Sequence, residues 1–88
     1  MKISIITISY NVEKEIERTM RSVLNQTFKD LEYIVVDGKS KDNTVAIAKS
    51  IAAEYPDRAV RIISEPDKGI YDAMNKGIQV ATGEYLLF

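Results

Sequence analysis

The chain alternates short apolar runs with segments in which hydrophobic residues recur at helical spacing. The runs at residues 3–9, 33–36, 60–63 and 85–88 are rich in β-branched, leucine and aromatic side chains, which predicts short buried strands. The spacing between the runs predicts three helices. The apolar positions of the first two helices are Val12, Ile16, Met20, Val23, Leu24, Val45, Ala48, Ile51 and Ala52. The predicted order is β-α-β-α-β-α-β.

The third predicted helix carries two apolar stripes, one of small residues and one of large residues. We expect the small stripe to lie close against the sheet and the large stripe to fill the space beside it. The pair Thr82-Gly83 predicts the end of this helix. The small stripe is Ala73, Gly77 and Ala81, and the large stripe is Ile70, Met74 and Ile78.

Helices between successive short strands predict an α/β fold, with a parallel sheet that is covered by helices on both faces. Ligands of such sheets bind at the carboxyl ends of the strands. This rule directs attention to residues 9–11, to residues 37–40 and to whatever follows Phe88.

Composition excludes several classes of site. The 88 residues include 12 Lys and Arg against 13 Asp and Glu, with no basic stripe, which argues against a nucleic-acid partner. The absence of Cys and His removes disulfides, thiolate nucleophiles, His-based triads and the usual zinc sites. The apolar run at residues 3–9 is too short for a signal peptide or a membrane span, so we expect a cytoplasmic chain.

Two residues at predicted strand ends have both a structural and a functional interpretation. Asp37, with Gly38, is a common turn former, but a carboxylate at the end of a central parallel strand can also accept hydrogen bonds from a nucleobase or ribose. Tyr10 is either a core aromatic or a ring that stacks on a base. Ser40 or Asp42 is expected to cap the second helix.

The densest polar segment covers residues 64–77, around the start of the third helix. One interpretation is a loop followed by a capped helix. The other is a ligand site, because short carboxylates, an amide and ammonium groups are concentrated there, and spacing alone leaves the two equally favoured. The polar residues concerned are Asp67, Lys68, Asp72, Asn75 and Lys76.

Linked motifs along the chain resemble the first half of a family 2 nucleotide-sugar glycosyltransferase. The first is SIITISYN at residues 4–11. It is followed by SVLNQTF at residues 22–28 and by EYIVVDGKSKDNT at residues 32–44. The others are EPDKGIYDAMNKG at residues 65–77 and ATGEYLLF at 81–88, which resembles the lead-in to the family's metal-binding Asp-x-Asp motif.

This resemblance implies an inverting transferase on a Rossmann-like sheet of the glycosyltransferase A type, cut after its fourth strand. It implies that Tyr10 stacks on the base, that Asp37 lies at the uridine site, and that Asp67 and its neighbours surround the donor phosphates and sugar. The implied substrate-binding residues are Tyr10, Asn11, Asp37, Ser40, Asp67, Lys68, Gly69, Asp72 and Asn75. A divalent metal, Mg²⁺ or Mn²⁺, would neutralise the departing diphosphate.

The chain departs from the family pattern at two positions. Ile8 stands where many relatives have proline, and Gly38 stands where many have a second aspartate that contacts the base. The resemblance also places the metal ligands and the catalytic base after Phe88, so no catalytic or metal-binding residue is assigned here. The 88-residue chain by itself is therefore expected to be inactive.

The sequence thus predicts one domain over residues 1–88 that binds a nucleotide sugar, with a UDP-sugar favoured. The expected acceptor is a saccharide or a lipid-linked hydroxyl in polysaccharide or glycolipid synthesis, at the inner face of the membrane. The alternative is a non-catalytic nucleotide-binding or interaction module with the same sheet. In either case exposed strand edges would allow pairing into a homodimer.

Overall fold

The computed structural model describes residues 2–27, 30–83 and 85–87. Its elements follow the predicted alternation of strands and helices. They are β1 (Ile3–Ser9), α1 (Ile16–Leu24), β2 (Leu31–Asp37), α2 (Thr44–Ala53), β3 (Ala59–Ser64), α3 (Ile70–Val80) and β4 (Tyr85–Leu87). Phe88, which we predicted to belong to β4, lies outside the described residues.

The strands form one sheet in the order β3-β2-β1-β4, and every neighbouring pair is parallel. This confirms the predicted parallel α/β architecture. The register pairs Ser9 of β1 with Asp37 of β2, and Asp37 in turn with Ser64 of β3. The last residues of three strands therefore stand in one row, which we call the carboxyl edge of the sheet.

Helices cover both faces of the sheet because successive strand residues point in opposite directions. On one face, Tyr33 and Val35 of β2 pack with the buried residues of α1 and α2. On the other face, Ile34 and Val36 pack with Ala73 of α3. All seven residues of β2 are buried, as expected of a central strand between two helical layers.

The small-residue stripe of α3 lies against the sheet, as predicted. Ala73 and Gly77 are both buried. A β-carbon added to Gly77 would lie 2.7 Å from Cγ2 of Ile6, so the helix backbone approaches β1 as closely as a missing side chain permits. Only glycine fits this contact without displacing Ile6 or the helix.

The prediction for the large-residue stripe of α3 was wrong for two of its members. Ile70 is 60% exposed and Ile78 is 42% exposed, whereas Met74 is half-buried. Ile70 and Met74 line an apolar cavity of about 600 Å³, which runs along β1 and is bounded on the other face by Thr19 and Val23 of α1. Helical spacing shows which residues share a face, but it does not show which element covers that face.

A polar cluster that the sequence did not suggest links the end of α3 to β1 and β2, at the amino ends of the strands. Glu32 is buried, and its carboxylate accepts hydrogen bonds from Oγ of Ser4 at 2.8 Å and from the backbone N–H of Thr82 at 2.9 Å. The N–H of Gly83 donates to Oγ of Ser4 at 2.9 Å. We call Ser4, Glu32, Thr82 and Gly83 the amino-edge cluster.

The amino-edge cluster favours the ionised form of Glu32. Burial alone would raise the pKa of Glu32, but the hydrogen bonds from Thr82 and Ser4, together with the charge of Lys2, hold the pKa below its usual value. The cluster therefore fixes the point where the chain leaves α3 and enters β4.

Among residues 2–27, 30–83 and 85–87, no helix is long and apolar enough to cross a bilayer.

Candidate functional site

The carboxylate of Asp37 joins the three strand ends at the carboxyl edge. Its Oδ1 accepts hydrogen bonds from Oγ of Ser9 at 2.8 Å and from Oγ of Ser40 at 2.6 Å. Its Oδ2 accepts from the backbone N–H of Ser40 at 2.7 Å and from Oγ of Ser64 at 3.0 Å. Each oxygen thus accepts two hydrogen bonds, which fills the capacity of a carboxylate.

Asp37 is 1% exposed, and its environment favours the charged form. Burial would raise the pKa of Asp37, but the hydrogen bonds from Ser40, Ser9 and Ser64 outweigh it and hold the pKa below its usual value. Asp37 therefore organises the carboxyl edge from beneath the surface. Its predicted place at a nucleotide site stays a prediction.

The loops that follow β1 and β2 are hydrogen-bonded to each other. The backbone N–H of Asn11 donates to Oγ of Ser40 at 2.8 Å, and Oδ1 of Asn11 accepts from the N–H of Lys41 at 2.8 Å. Further along, the N–H of Val12 donates to Oγ1 of Thr44 at 2.9 Å. We call residues 11–13 and 40–44 the loop pair. Asn11 and Ser40, both predicted to bind substrate, hold this pair together.

Asp42 assists the start of α2, as one of the two expected caps. Its carboxylate accepts the N–H of Thr44 at 3.0 Å and the N–H of Glu13 at 3.3 Å. Ser40, the other expected cap, is bonded to Asp37 and Asn11 instead. The residue immediately before the helix, Asn43, makes no side-chain capping bond.

The loop before α3 is held in shape by its own polar groups. Gly69 has φ of 127°, a conformation that side chains disfavour. The N–H of Gly69 donates to Oδ1 of Asp67 at 3.2 Å, and the N–H of Lys68 donates to Oδ2 of Asp72 at 2.9 Å. Lys76 donates to the carbonyl of Pro66 at 2.6 Å. These bonds fix the loop on the first turns of α3.

Asp72 has a structural role in this loop. The hydrogen bond from the backbone N–H of Lys68 lowers the pKa of Asp72, and the nearby charge of Lys76 adds to the effect. The ammonium of Lys76 lies 3.6 Å from Asp72 and 3.3 Å from Glu65. The carboxylate of Asp72 is therefore engaged by the backbone of the loop and by Lys76.

Two predicted binding residues on the same segment keep their side chains available. Lys68 and Asn75 are both exposed. Within the described part of the chain, neither the ammonium of Lys68 nor the amide of Asn75 takes part in a hydrogen bond or salt bridge. An ammonium and an amide without internal partners can bind a phosphate or a sugar hydroxyl.

A cavity of about 300 Å³ lies where β1 and the loop before α3 meet. Tyr10, which follows β1, is 52% exposed on one side of this cavity. A β-carbon added to Gly38 would lie 2.9 Å from Oδ2 of Asp67 and 3.4 Å from Cδ1 of Tyr10. The structure thus brings Tyr10, Gly38 and Asp67 together. The cavity is lined by Ile8, Ser9, Tyr10, Asp67, Gly69 and Ile70.

Sequence reasoning assigned no binding or positioning role to three residues that shape this site. Ser9 and Ser64 donate to Asp37, and Gly38 provides the room in which Asp67 and Tyr10 converge. A signal for the serines was present, because each ends an apolar run and the ends of parallel strands meet at one edge. No signal in the sequence indicated the contact between Gly38 and Asp67.

The described side chains form no cluster that would hold a divalent metal by itself. Among residues 2–27, 30–83 and 85–87, no three Asp, Glu, Cys or His side chains converge to hold one. The carboxylates of Asp37, Asp42 and Asp72 are bonded within the fold.

Comparison with known protein families gives a match over almost the whole chain. The family described as "Glycosyl transferase family 2" matches residues 4–88. The uncharacterised glycosyltransferase YibD of Escherichia coli K12 is 40% identical over 87 residues, which is 99% of this chain and 25% of that protein. A PGL/p-HBAD biosynthesis glycosyltransferase of Mycobacterium tuberculosis is 41% identical over 85 residues, which is 97% of this chain and 33% of that protein. The chain thus spans between a quarter and a third of these relatives.

Solved structures give the same fold. The mannosyltransferase PcManGT from Pyrobaculum calidifontis, in complex with GDP-Man and Mn²⁺, has a TM-score of 0.92 and 30% identity, over 97% of this chain and 26% of that one. TarS 1-349 of S. aureus, in complex with UDP-GlcNAc, has a TM-score of 0.83 and 31% identity, over 100% of this chain and 26% of that one. These likenesses confirm the predicted Rossmann-like fold of the glycosyltransferase A type.

Proposed function

Because the chain belongs to glycosyltransferase family 2, we propose that it forms the N-terminal, nucleotide-sugar-binding part of a sugar transferase. The complete enzyme moves the sugar from a nucleoside diphosphate to an acceptor hydroxyl. The observation that carries the proposal is the convergence of Tyr10 and Asp67 over Gly38, beside the exposed Lys68. An aromatic face, a hydrogen-bond acceptor and a cation are the groups that a base and a diphosphate require.

The geometry supports two kinds of role for the predicted substrate-binding residues. The residues proposed to contact the donor directly either line the cavity or are exposed on the segment that leads into α3 and on α3 itself. They are Tyr10, Asp67, Lys68, Gly69 and Asn75. The remaining predicted residues hold these groups in place through the contacts already described. They are Asn11, Asp37, Ser40 and Asp72.

The family resemblance extends the proposal to the complete enzyme. We propose hexosyl transfer with inversion from a UDP-sugar, assisted by Mg²⁺ or Mn²⁺ on ligands outside the described residues. The acceptor is a saccharide or lipid-linked hydroxyl of an envelope polysaccharide or glycolipid, reached from the cytoplasmic face of the membrane. Pairing into a homodimer through open strand edges also belongs to the proposal. A product of unchanged anomeric configuration would contradict inversion.

Replacement of the exposed tyrosine at the cavity is expected to weaken nucleotide binding. We expect Tyr10→Ala to lower the affinity of the chain for UDP and GDP about fivefold to 150-fold, because a stacked aromatic ring is lost. Tyr71→Ala is the matched control, since Tyr71 is 79% exposed and does not line the cavity. Isothermal titration measures the affinities of the wild type, Tyr10→Ala and Tyr71→Ala for UDP and GDP.

The outcomes of this titration test the proposed function and the role of Tyr10 separately. A wild-type chain that binds no nucleoside diphosphate overturns the proposed function. Equal affinities of the wild type and Tyr10→Ala, in a chain that does bind, overturn only the role given to Tyr10. Tyr71→Ala should bind like the wild type.

The chain by itself is expected to bind a donor without turning it over. The described carboxylates do not form a metal site, and the proposed metal ligands and general base lie elsewhere in the enzyme. We therefore expect no Mn²⁺-dependent release of nucleoside diphosphate from UDP- or GDP-sugars, as measured by a coupled assay. Release by the wild type that disappears in Asp67→Asn would place a complete active site within these residues.

A further inference from the structure

Asp67 presents a carboxylate oxygen without an internal partner to the cavity. Its Oδ1 is used by the turn, because it accepts the N–H of Gly69 at 3.2 Å. Its Oδ2 makes no hydrogen bond within the described part of the chain, and it lies above Gly38, beside the place that Cδ1 of Tyr10 also approaches. Of the six described residues that line the cavity, Asp67 alone is charged.

Asp37, the other carboxylate at this edge, has no oxygen left to offer. All four of its hydrogen-bonding positions are filled by Ser9, Ser40 and Ser64. Any ligand that required an acceptor from Asp37 would have to break one of these bonds in a buried place. The carboxylate oxygen that a ligand can use in this cavity is therefore Oδ2 of Asp67.

Position 38 controls whether Asp67 can occupy this place. A β-carbon at position 38 would lie 2.9 Å from Oδ2 of Asp67, which is closer than such atoms approach. With glycine there, the carboxylate of Asp67 and the ring of Tyr10 meet above the bare backbone. The carboxylate of Asp67, which belongs to a different loop, can therefore occupy this place only because residue 38 is glycine.

We propose that Asp67 reads the nucleobase of the donor and selects bases that carry an imino N–H, namely uracil and guanine. This assignment rests on the proposed function and names the base-selecting residue of the same site. The ring of Tyr10 supplies a face on which the base stacks. Oδ2 of Asp67 then lies at the edge of the base, where it accepts the N3–H of uracil or the N1–H of guanine.

The chemistry of the bases makes this contact selective. Cytosine and adenine carry an unprotonated ring nitrogen at the corresponding place, which is an acceptor and repels a carboxylate. A diphosphate is a poorer partner for Asp67, because two anionic groups at hydrogen-bonding distance repel each other. The neighbouring ammonium of Lys68 suits the diphosphate instead.

Asp67→Asn tests the proposal with little change in shape. The asparagine keeps Oδ1 as acceptor for Gly69 and replaces Oδ2 by an amide donor. We measure the affinities of UDP, GDP, CDP and ADP by isothermal titration in EDTA, so that no metal bridges the ligand to the protein. Asp57→Asn is the matched control, because Asp57 is exposed in the α2–β3 connection, at the other end of the sheet.

We expect the wild type to prefer UDP, GDP or both over CDP and ADP by at least about tenfold. Asp67→Asn should abolish or reverse this preference, while Asp57→Asn should keep it. A wild type that binds all four nucleotides equally, or an Asp67→Asn variant that keeps the preference or loses affinity for all four alike, overturns the proposal and leaves the proposed function standing. A wild type that binds none overturns both.

Gly38→Ala provides an independent variant, since it changes the position of Asp67 and not its chemistry. The added β-carbon must displace Oδ2, so the preference for UDP and GDP should again fall. A thermal melt of each variant confirms that the protein titrated is folded. A folded Gly38→Ala variant with unchanged preference would contradict the placement of Asp67.

Discussion

Asp37→Asn is expected to lower the free energy of unfolding by about 2 to 4 kcal/mol. The asparagine has the size of the aspartate, but its amide group donates where Oδ2 now accepts the N–H of Ser40 and the hydroxyl of Ser64. At least one of these two donors then loses its partner. Urea denaturation compares the variant with the wild type and with Asp57→Asn, an exposed charge change that should cost within about 0.5 kcal/mol.

The pH dependence of the difference in unfolding free energy between the wild type and Asp37→Asn reports the charge of Asp37. The pKa of Asp37 is lowered in the folded protein, so its contribution is present above the unfolded pKa and is lost as the pH falls through the folded value. The stability gap between the wild type and Asp37→Asn should therefore narrow on acidification. A gap that stays constant between pH 7 and low pH would mean that the carboxylate is not the stabilising form.

Gly83→Ala is expected to destabilise the chain by about 2 to 4 kcal/mol through a clash in the amino-edge cluster. The new β-carbon would overlap Oγ of Ser4 and would lie 2.8 Å from the backbone nitrogen of Ser4. The φ angle of Gly83 is not positive, so alanine suits its backbone and the cost is steric. Thermal and urea unfolding measure it.

The double variant Ser4→Ala/Gly83→Ala tests the origin of this cost. Removal of the Ser4 hydroxyl relieves one contact, but the contact with the backbone nitrogen at 2.8 Å remains. The double variant should therefore recover only part of the loss, measured against Ser4→Ala alone. Full recovery would assign the whole effect to the hydroxyl, and no loss in Gly83→Ala would refute the close approach.

The order of strands and helices could be predicted because its signals are local. A β-branched run such as residues 33–36 and a helical repeat such as Ala73 to Gly77 reveal their structure within one element. Parallel pairing followed, since helices between strands leave few other arrangements. The place of Tyr10 at a carboxyl strand end came from the same rule.

The contacts that decide the site were beyond prediction because their partners are distant in sequence. Ser9 and Ser64 lie 28 and 27 residues from Asp37 in the sequence. Their hydroxyls donate to the carboxylate of Asp37, which the sequence predicted to contact a ligand. The exposure of Ile70 depends on what lies beside α3, which periodicity does not report. The position of Asp67 over Gly38 depends on a glycine from another loop.

The hydrogen bonds within the loop pair have a consequence for protein engineering. Asn11 accepts from Lys41 and donates to Ser40, while Asn43 donates to Glu13, so neither loop satisfies its backbone groups alone. A graft that imports residues 11–13 from a relative without residues 40–44 would leave amides unmatched on both sides. The two loops of the pair must therefore be transplanted together, and chimaeras that exchange one loop should fold less stably than chimaeras that exchange both.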